Sequence, residues 1–115
     1  MLAESALDAV GNTPLVSLQK LLSPAAAEVW LKLEGGNPTG LYKDRMAVFV
    51  LTQAIHRGEL NLGDRVVECT GGSTGSALVF FSAVLGLEFT AVFSDAFSDS
   101  KRRAMEAFGA NVLVE

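Results

Sequence analysis

Lys43 is the residue of this chain best placed to do covalent chemistry. It stands in NPTGLYKDRMA, Asn37 to Ala47, where turn residues, a glycine and a hydroxyl lead into a run with helical spacing. A lysine attacks carbonyls only as the free amine, so a catalytic one needs desolvation or a neighbouring cation to lower its pKa from about 10.4. Burial near a helix N-terminus supplies both. The opposing reading is a solvated lysine, because Asp44 and Arg45 make this a charged, surface-like patch. A second unusual loop, TGGSTGS at Thr70 to Ser76, lies between a strand-like run and a strongly apolar helix-like run. Two such loops in so short a chain point to one shared site.

A loop of glycines and hydroxyls that opens a helix exposes unpaired backbone N–H groups, and the helix dipole adds partial positive charge there. Such a loop attracts carboxylate or phosphate. Gly71, Gly72 and Gly75 permit close approach of a ligand, while Ser73 and Thr74 offer directed hydroxyls. The same residues also read as a tight strand-to-helix turn with an N-cap. A phosphate-cradling P-loop requires a lysine after its last glycine, and none follows Gly75. A dinucleotide reading fares better, with Asp95 at the end of the next strand, but the glycine spacing departs from GxGxxG and Lys43 is left without a role.

The elements that must carry these loops alternate along the chain. Val29 to Glu34 has the period of a half-buried strand, with Val29, Leu31 and Leu33 on one face. After a turn at Gly35 to Gly40, Leu41 to His56 has helical spacing, with Gly58 as its stop and Lys43 in its first turn. Then come a strand at Arg65 to Thr70, a helix apolar nearly all round at Gly75 to Leu85, a strand at Phe89 to Ser94, an amphipathic helix at Ser98 to Phe108 stopped by Gly109, and a strand at Asn111 to Val114. This order predicts an α/β fold: a parallel sheet with flanking helices and right-handed crossovers, in three layers. Ligands of such sheets bind at the carboxyl ends of the strands, where TGGSTGS falls.

Composition narrows the partners. The 115 residues suffice for a single domain. Half of them are hydrophobic, which is rich for a small domain and predicts apolar surface that expects a partner or more chain. A net charge of −4 without a basic stripe argues against nucleic acid and anionic membrane. The longest apolar run, Ala77 to Leu87, is too short to span a bilayer. Cys69 is the single cysteine and reads as a small buried strand residue; with no secretory signal evident, a cytoplasmic location is expected. His56 is placed to meet the last carbonyls of its helix, and Lys101, Arg102 and Arg103 read as solvated surface. No spacing of His, Cys, Asp or Glu suggests a metal site.

Four collinear blocks carry a family resemblance: GNTPLVSL at Gly11 to Leu18, KLEGGNPTGLYKDRMA at Lys32 to Ala47, the loop at Glu68 to Gly75, and SDSKRRAMEAFGANVLV at Ser98 to Val114. Their order resembles the N-terminal part of the cysteine synthases, within the fold-type II pyridoxal-phosphate enzymes that include cystathionine β-synthase. The resemblance implies a tryptophan synthase β-like fold, of which this would be one incomplete domain. Residues 1–45 would join the larger domain of the complete enzyme and 46–115 the smaller. It implies that Lys43 is joined to pyridoxal 5'-phosphate as a Schiff base and, once displaced by an amino-acid substrate, takes the Cα proton. Loss of a β-leaving group and addition of sulfide or a thiol would complete β-replacement. Thr70, Gly71, Gly72 and Thr74 would grip the substrate α-carboxylate, Ser73 would meet the cofactor, and the complete protein would be a homodimer.

Three positions depart from that pattern. Gly71 stands where the family usually has serine, Ser73 where it has asparagine, and Leu41 where a small or hydroxyl residue is common. These changes leave the exact substrate open. Chains of the family also run well beyond 115 residues, and the further portion holds the loop for the cofactor phosphate. By itself the chain is therefore expected to bind pyridoxal phosphate weakly and to turn over little or nothing, a catalytically silent piece. Ala77 to Leu85 would be sandwiched only in the complete protein, and Val112 to Val114 would pair with further strands. At about 25 cal/mol per Å², a few hundred Å² left exposed forgoes several kcal/mol, so the piece is expected to be marginal or to associate.

Overall fold

The computed structural model describes residues 2–115. Two short strands, β1 (Leu15–Ser17) and β2 (Trp30–Lys32), form an antiparallel hairpin with Val16 opposite Leu31. A single 3-10 turn at Glu34–Gly36 follows, and then helix α1 (Lys43–His56). The rest is β3 (Arg65–Cys69), α2 (Ser73–Val84), β4 (Glu88–Phe93), α3 (Asp99–Ala107) and β5 (Asn111–Val114). β3, β4 and β5 make one parallel sheet in that order, with Val67 beside Thr90 and Ala91 beside Val112. The expected α/β architecture, a parallel sheet with flanking helices, is the observed one; of the three layers expected, the helical layer on one side of the sheet is missing among the described residues.

Successive crossovers that step the same way along a sheet place their helices on one face. α2 packs on β3 and β4, α3 packs on β5 and on α2, and α1 lies along α2. Alternation along the strands then decides what is covered. Val66, Phe89, Ala91, Phe93 and Val112 point into the core with Ala77, Leu78 and Phe81 of α2, Met105 of α3, and Ala47 and Leu51 of α1. The residues between them face the other way. Val67 and Leu113 are about half exposed there, and no helix among the described residues covers that face.

Several expectations change as a result. α2 does not wait for further chain to be covered, since α1, α3 and the sheet already bury Ala77, Leu78, Val79 and Phe81. The apolar excess sits instead on the open sheet face, on the hairpin and on the outer side of α1, where Phe49 and Val50 are exposed. Trp30, Leu31 and Lys32 are all exposed, so the alternation of Val29 to Glu34 has no buried side; a two-stranded ribbon has nothing packed against either face. Cys69 is exposed rather than buried, because it lies on the uncovered face with Val67. α2 also starts at Ser73, two residues earlier than its apolar pattern predicts, so Ser73 and Thr74 belong to its first turn rather than to a loop.

Candidate active site

The sequence leading to Lys43 is held by one polar cluster. Asn37 is nearly buried; its Oδ1 accepts from Gly11 N–H at 2.9 Å, and its Nδ2 donates to the Glu34 carboxylate at 3.0 Å and to Leu41 C=O at 3.1 Å. Arg45 donates to Glu34 through Nε at 2.7 Å and Nη2 at 3.0 Å, and to Thr13 Oγ1 at 3.0 Å. Thr13 in turn donates to Glu34. Gly11 has φ 93°, a conformation that favours glycine and lets the chain turn under the Arg45 guanidinium. Residues before β1, after β2 and in α1 thus share one clasp. The Arg45 hydrogen bonds, aided by Thr13, hold the Glu34 carboxyl down at about 2, and Glu34 in return raises Arg45.

Asp44 corrects the view of a surface patch. It is fully buried and folds the loop back onto the helix start, accepting from Thr39 N–H at 2.8 Å and from the Thr39 hydroxyl. The loop Pro38–Gly40 is therefore pinned from below by Asp44 and from the side by Asn37. Lys43, between them in sequence, is the first residue of α1 and half-buried. Among the described residues its Nζ makes no hydrogen bond or ion pair, and it lies 5.1 Å from the centre of the Tyr42 ring. An amine that is partly desolvated, unpaired by acid and carried on a fixed backbone suits attack on an aldehyde.

The second loop begins where β3 ends. Thr70 is buried, with its N–H on Val92 C=O at 2.9 Å and its Oγ1 accepting from Gly75 N–H at 2.9 Å. One threonine thereby ties the strand end to the helix and satisfies one of the free donors at the start of α2. Gly72 is the N-cap of α2 and offers no side chain, so the N–H groups of Ser73 and Thr74 remain without protein acceptors among the described residues. Those donors, with the dipole of α2 behind them, fit a carboxylate. The sequence missed what flanks the loop. A Cβ on Gly71 would stand 2.2 Å from the Phe97 ring, and one on Gly72 3.0 Å from Lys101 Nζ. Lys101 is thus apart from the rest of its basic cluster: Arg102 pairs with Asp99 and Glu106, and Arg103 with Asp99.

The structure joins Thr70 to Gly75, Gly71 to Phe97 and Gly72 to Lys101. Lys43 and the loop sit at the starts of two helices that pack on each other, and no hydrogen bond links them. Asp95 lies exposed in the turn after β4, and His56 ends α1 in solvent without a side-chain hydrogen bond. A recess of about 450 Å³ between Arg65, Glu88 and Asn111 opens at the amino ends of the strands, away from the glycine loop. No group of metal-ligating side chains and no helix long and apolar enough to cross a membrane occurs among the described residues.

Pyridoxal phosphate needs an amine for its aldehyde and polar donors for its oxygens, and these loops offer an unpaired lysine and free helix N–H groups. The chain is 44% identical over 105 residues to cysteine synthase B of Escherichia coli (strain K12), covering 91% of this chain and 35% of that protein. The crystal structure of O-ureido-L-serine synthase superposes with a TM-score of 0.91 at 39% identity, over 100% of this chain and 36% of that one. Its O-ureido-L-serine-bound K43A mutant gives a TM-score of 0.88 at 38% identity, again over 100% of this chain and 36% of that one. The chain spans about a third of the length of these relatives. The profile described as pyridoxal-phosphate dependent enzyme matches residues 6–114, and the chain belongs to that family.

Proposed function

We propose that this chain is the part of a pyridoxal-phosphate dependent enzyme of amino-acid metabolism that carries the reactive lysine and the substrate carboxylate site. The reaction is a cysteine synthase-like β-replacement, in which an activated serine exchanges its β-substituent for sulfide or a thiol. The observation that carries the reading is Lys43, a half-buried amine without an acid partner on the clasped first turn of α1. Lys43 would hold the cofactor through its amine and, when free of it, would take the substrate Cα proton. The bound cofactor supplies an electron sink for the resulting negative charge. Thr70, Gly71, Gly72 and Thr74 orient the substrate through its carboxylate, and Ser73 meets the cofactor ring.

The relatives support this assignment: one is a cysteine synthase, and another holds O-ureido-L-serine in its K43A mutant. They are named for different products, so membership of the family does not fix the leaving group and nucleophile. We further place residues 1–45, with the exposed hairpin, in the larger domain of a cytoplasmic homodimer, and 46–115 in the smaller. The change from antiparallel hairpin to parallel sheet on either side of α1 favours that division.

Replacing the lysine tests the assignment. In the protein carrying this chain, Lys43→Ala should remove the visible absorbance of protein-bound pyridoxal phosphate while the far-ultraviolet circular dichroism stays that of the parent. A Lys43→Ala protein that remains yellow after dialysis and bleaches with borohydride would sink the role of this amine.

A further inference from the structure

We propose that Gly71 and Phe97 are a steric pair, and that the Phe97 ring roofs the carboxylate cradle and strengthens substrate binding there; this rests on the reading of Thr70 to Thr74 as substrate-binding. Gly71 is not among the glycines with positive φ, so its backbone does not itself demand glycine. The space does. A Cβ at position 71 would lie 2.2 Å from both Cε2 and Cζ of Phe97 and 2.5 Å from Cδ2, closer than any real contact. Any side chain at 71 requires the ring to move.

Phe97 is placed to do this from the turn between β4 and α3. Its N–H bonds Ser94 C=O at 3.1 Å, and its ring leans on Phe93 with centroids 5.7 Å apart at 55°. Phe93 is buried in the core, so the inner edge of Phe97 is anchored while the rest stays 49% exposed. The ring stands beside Gly71, two residues before the first free N–H donor of α2; there it would limit the access of water to an anion held by those donors, and charge-assisted hydrogen bonds strengthen when water is excluded. Position 71 therefore offers no hydroxyl to the carboxylate, and the apolar roof takes that place.

The test is a double-mutant cycle in the cofactor-loaded protein, read by steady-state kinetics with the amino-acid substrate and by thermal melting. Phe97→Ala should raise KM about tenfold with kcat within about twofold, the pattern of lost ground-state binding. Gly71→Ser should lower Tm and raise KM, and adding Phe97→Ala to it should recover both in part, since residues in contact couple non-additively. If Gly71→Ser fails to fold, a folded double variant is the same rescue. Phe97→Leu, which keeps an apolar cover, should fall between parent and Phe97→Ala. An unchanged or lowered KM in Phe97→Ala, or strictly additive losses in the double variant, would overturn the pair while leaving Lys43 and its absorbance untouched. A parent protein with no Lys43-dependent absorbance would instead bring down the underlying reading, and the pair with it.

Discussion

At the level of single residues, what matters is how one amine is aimed. The place of Lys43 in the first turn of a helix was legible because Pro38, Thr39 and Gly40 announce a turn and the following run has no Pro or Gly to stop a helix. Asp44 was not. A carboxylate at that point reads as surface charge, and only the return of the Thr39 N–H and hydroxyl makes its burial affordable. Glu34 and Arg45, eleven positions apart, also meet only in three dimensions. Their pairing makes a pH prediction. The Glu34 carboxyl lies at about 2 in the fold against its usual 4.5, first through Arg45 and then through Thr13. A carboxyl whose pKa is depressed by folding stabilises fully above its unfolded value and loses that contribution as pH falls through the folded one. Glu34→Gln should therefore melt below the parent at pH 7, and the gap should close between about pH 4.5 and 2. A gap of constant size across that window would exclude the ion pair as its source.

Among the elements, the helices and the parallel strands were readable because their hydrophobic periods are long and their stops are glycines: Gly58 and Gly109 both carry positive φ just past a helix. β1 was not read as a strand, since three residues have no period of their own and acquire one only opposite β2. The start of α2 was misplaced because Ser73 and Thr74 are polar, while their helical geometry is enforced by Thr70 and Gly75. Gly75 is where α2 comes closest to its surroundings. A Cβ there would sit 2.4 Å from Thr70 Cγ2 and 2.7 Å from Met105 Sδ, both belonging to buried residues. Gly75→Ala should consequently destabilise by about 1–3 kcal/mol through overpacking, despite the better helix propensity of alanine. A denaturation midpoint equal to or above that of the parent would show that α3 can yield.

Taken whole, the molecule is looser than its length predicts. Its 12.1 kDa exposes 7388 Å², where a monomer of that mass exposes about 6000 Å². Its radius of gyration is 16.9 Å, against about 13 Å for a compact chain of this length. The sequence told that apolar surface would be left over but placed much of it on α2, which the fold buries, because the side of a sheet that stays bare depends on which way the crossovers step. The open face with Val67 and Leu113 should make the 115-residue chain associate in solution. Val67→Lys with Leu113→Lys should reduce that association in light scattering, at a cost to stability within about 0.5 kcal/mol per site. Association undiminished by both charges would locate the sticky surface on the hairpin or the outer side of α1 instead. The hairpin has a second significance through Thr13, Glu34 and Arg45. It is tied to α1 two residues beyond Lys43. On the role proposed for that amine, the hairpin braces it from outside the helix that carries it.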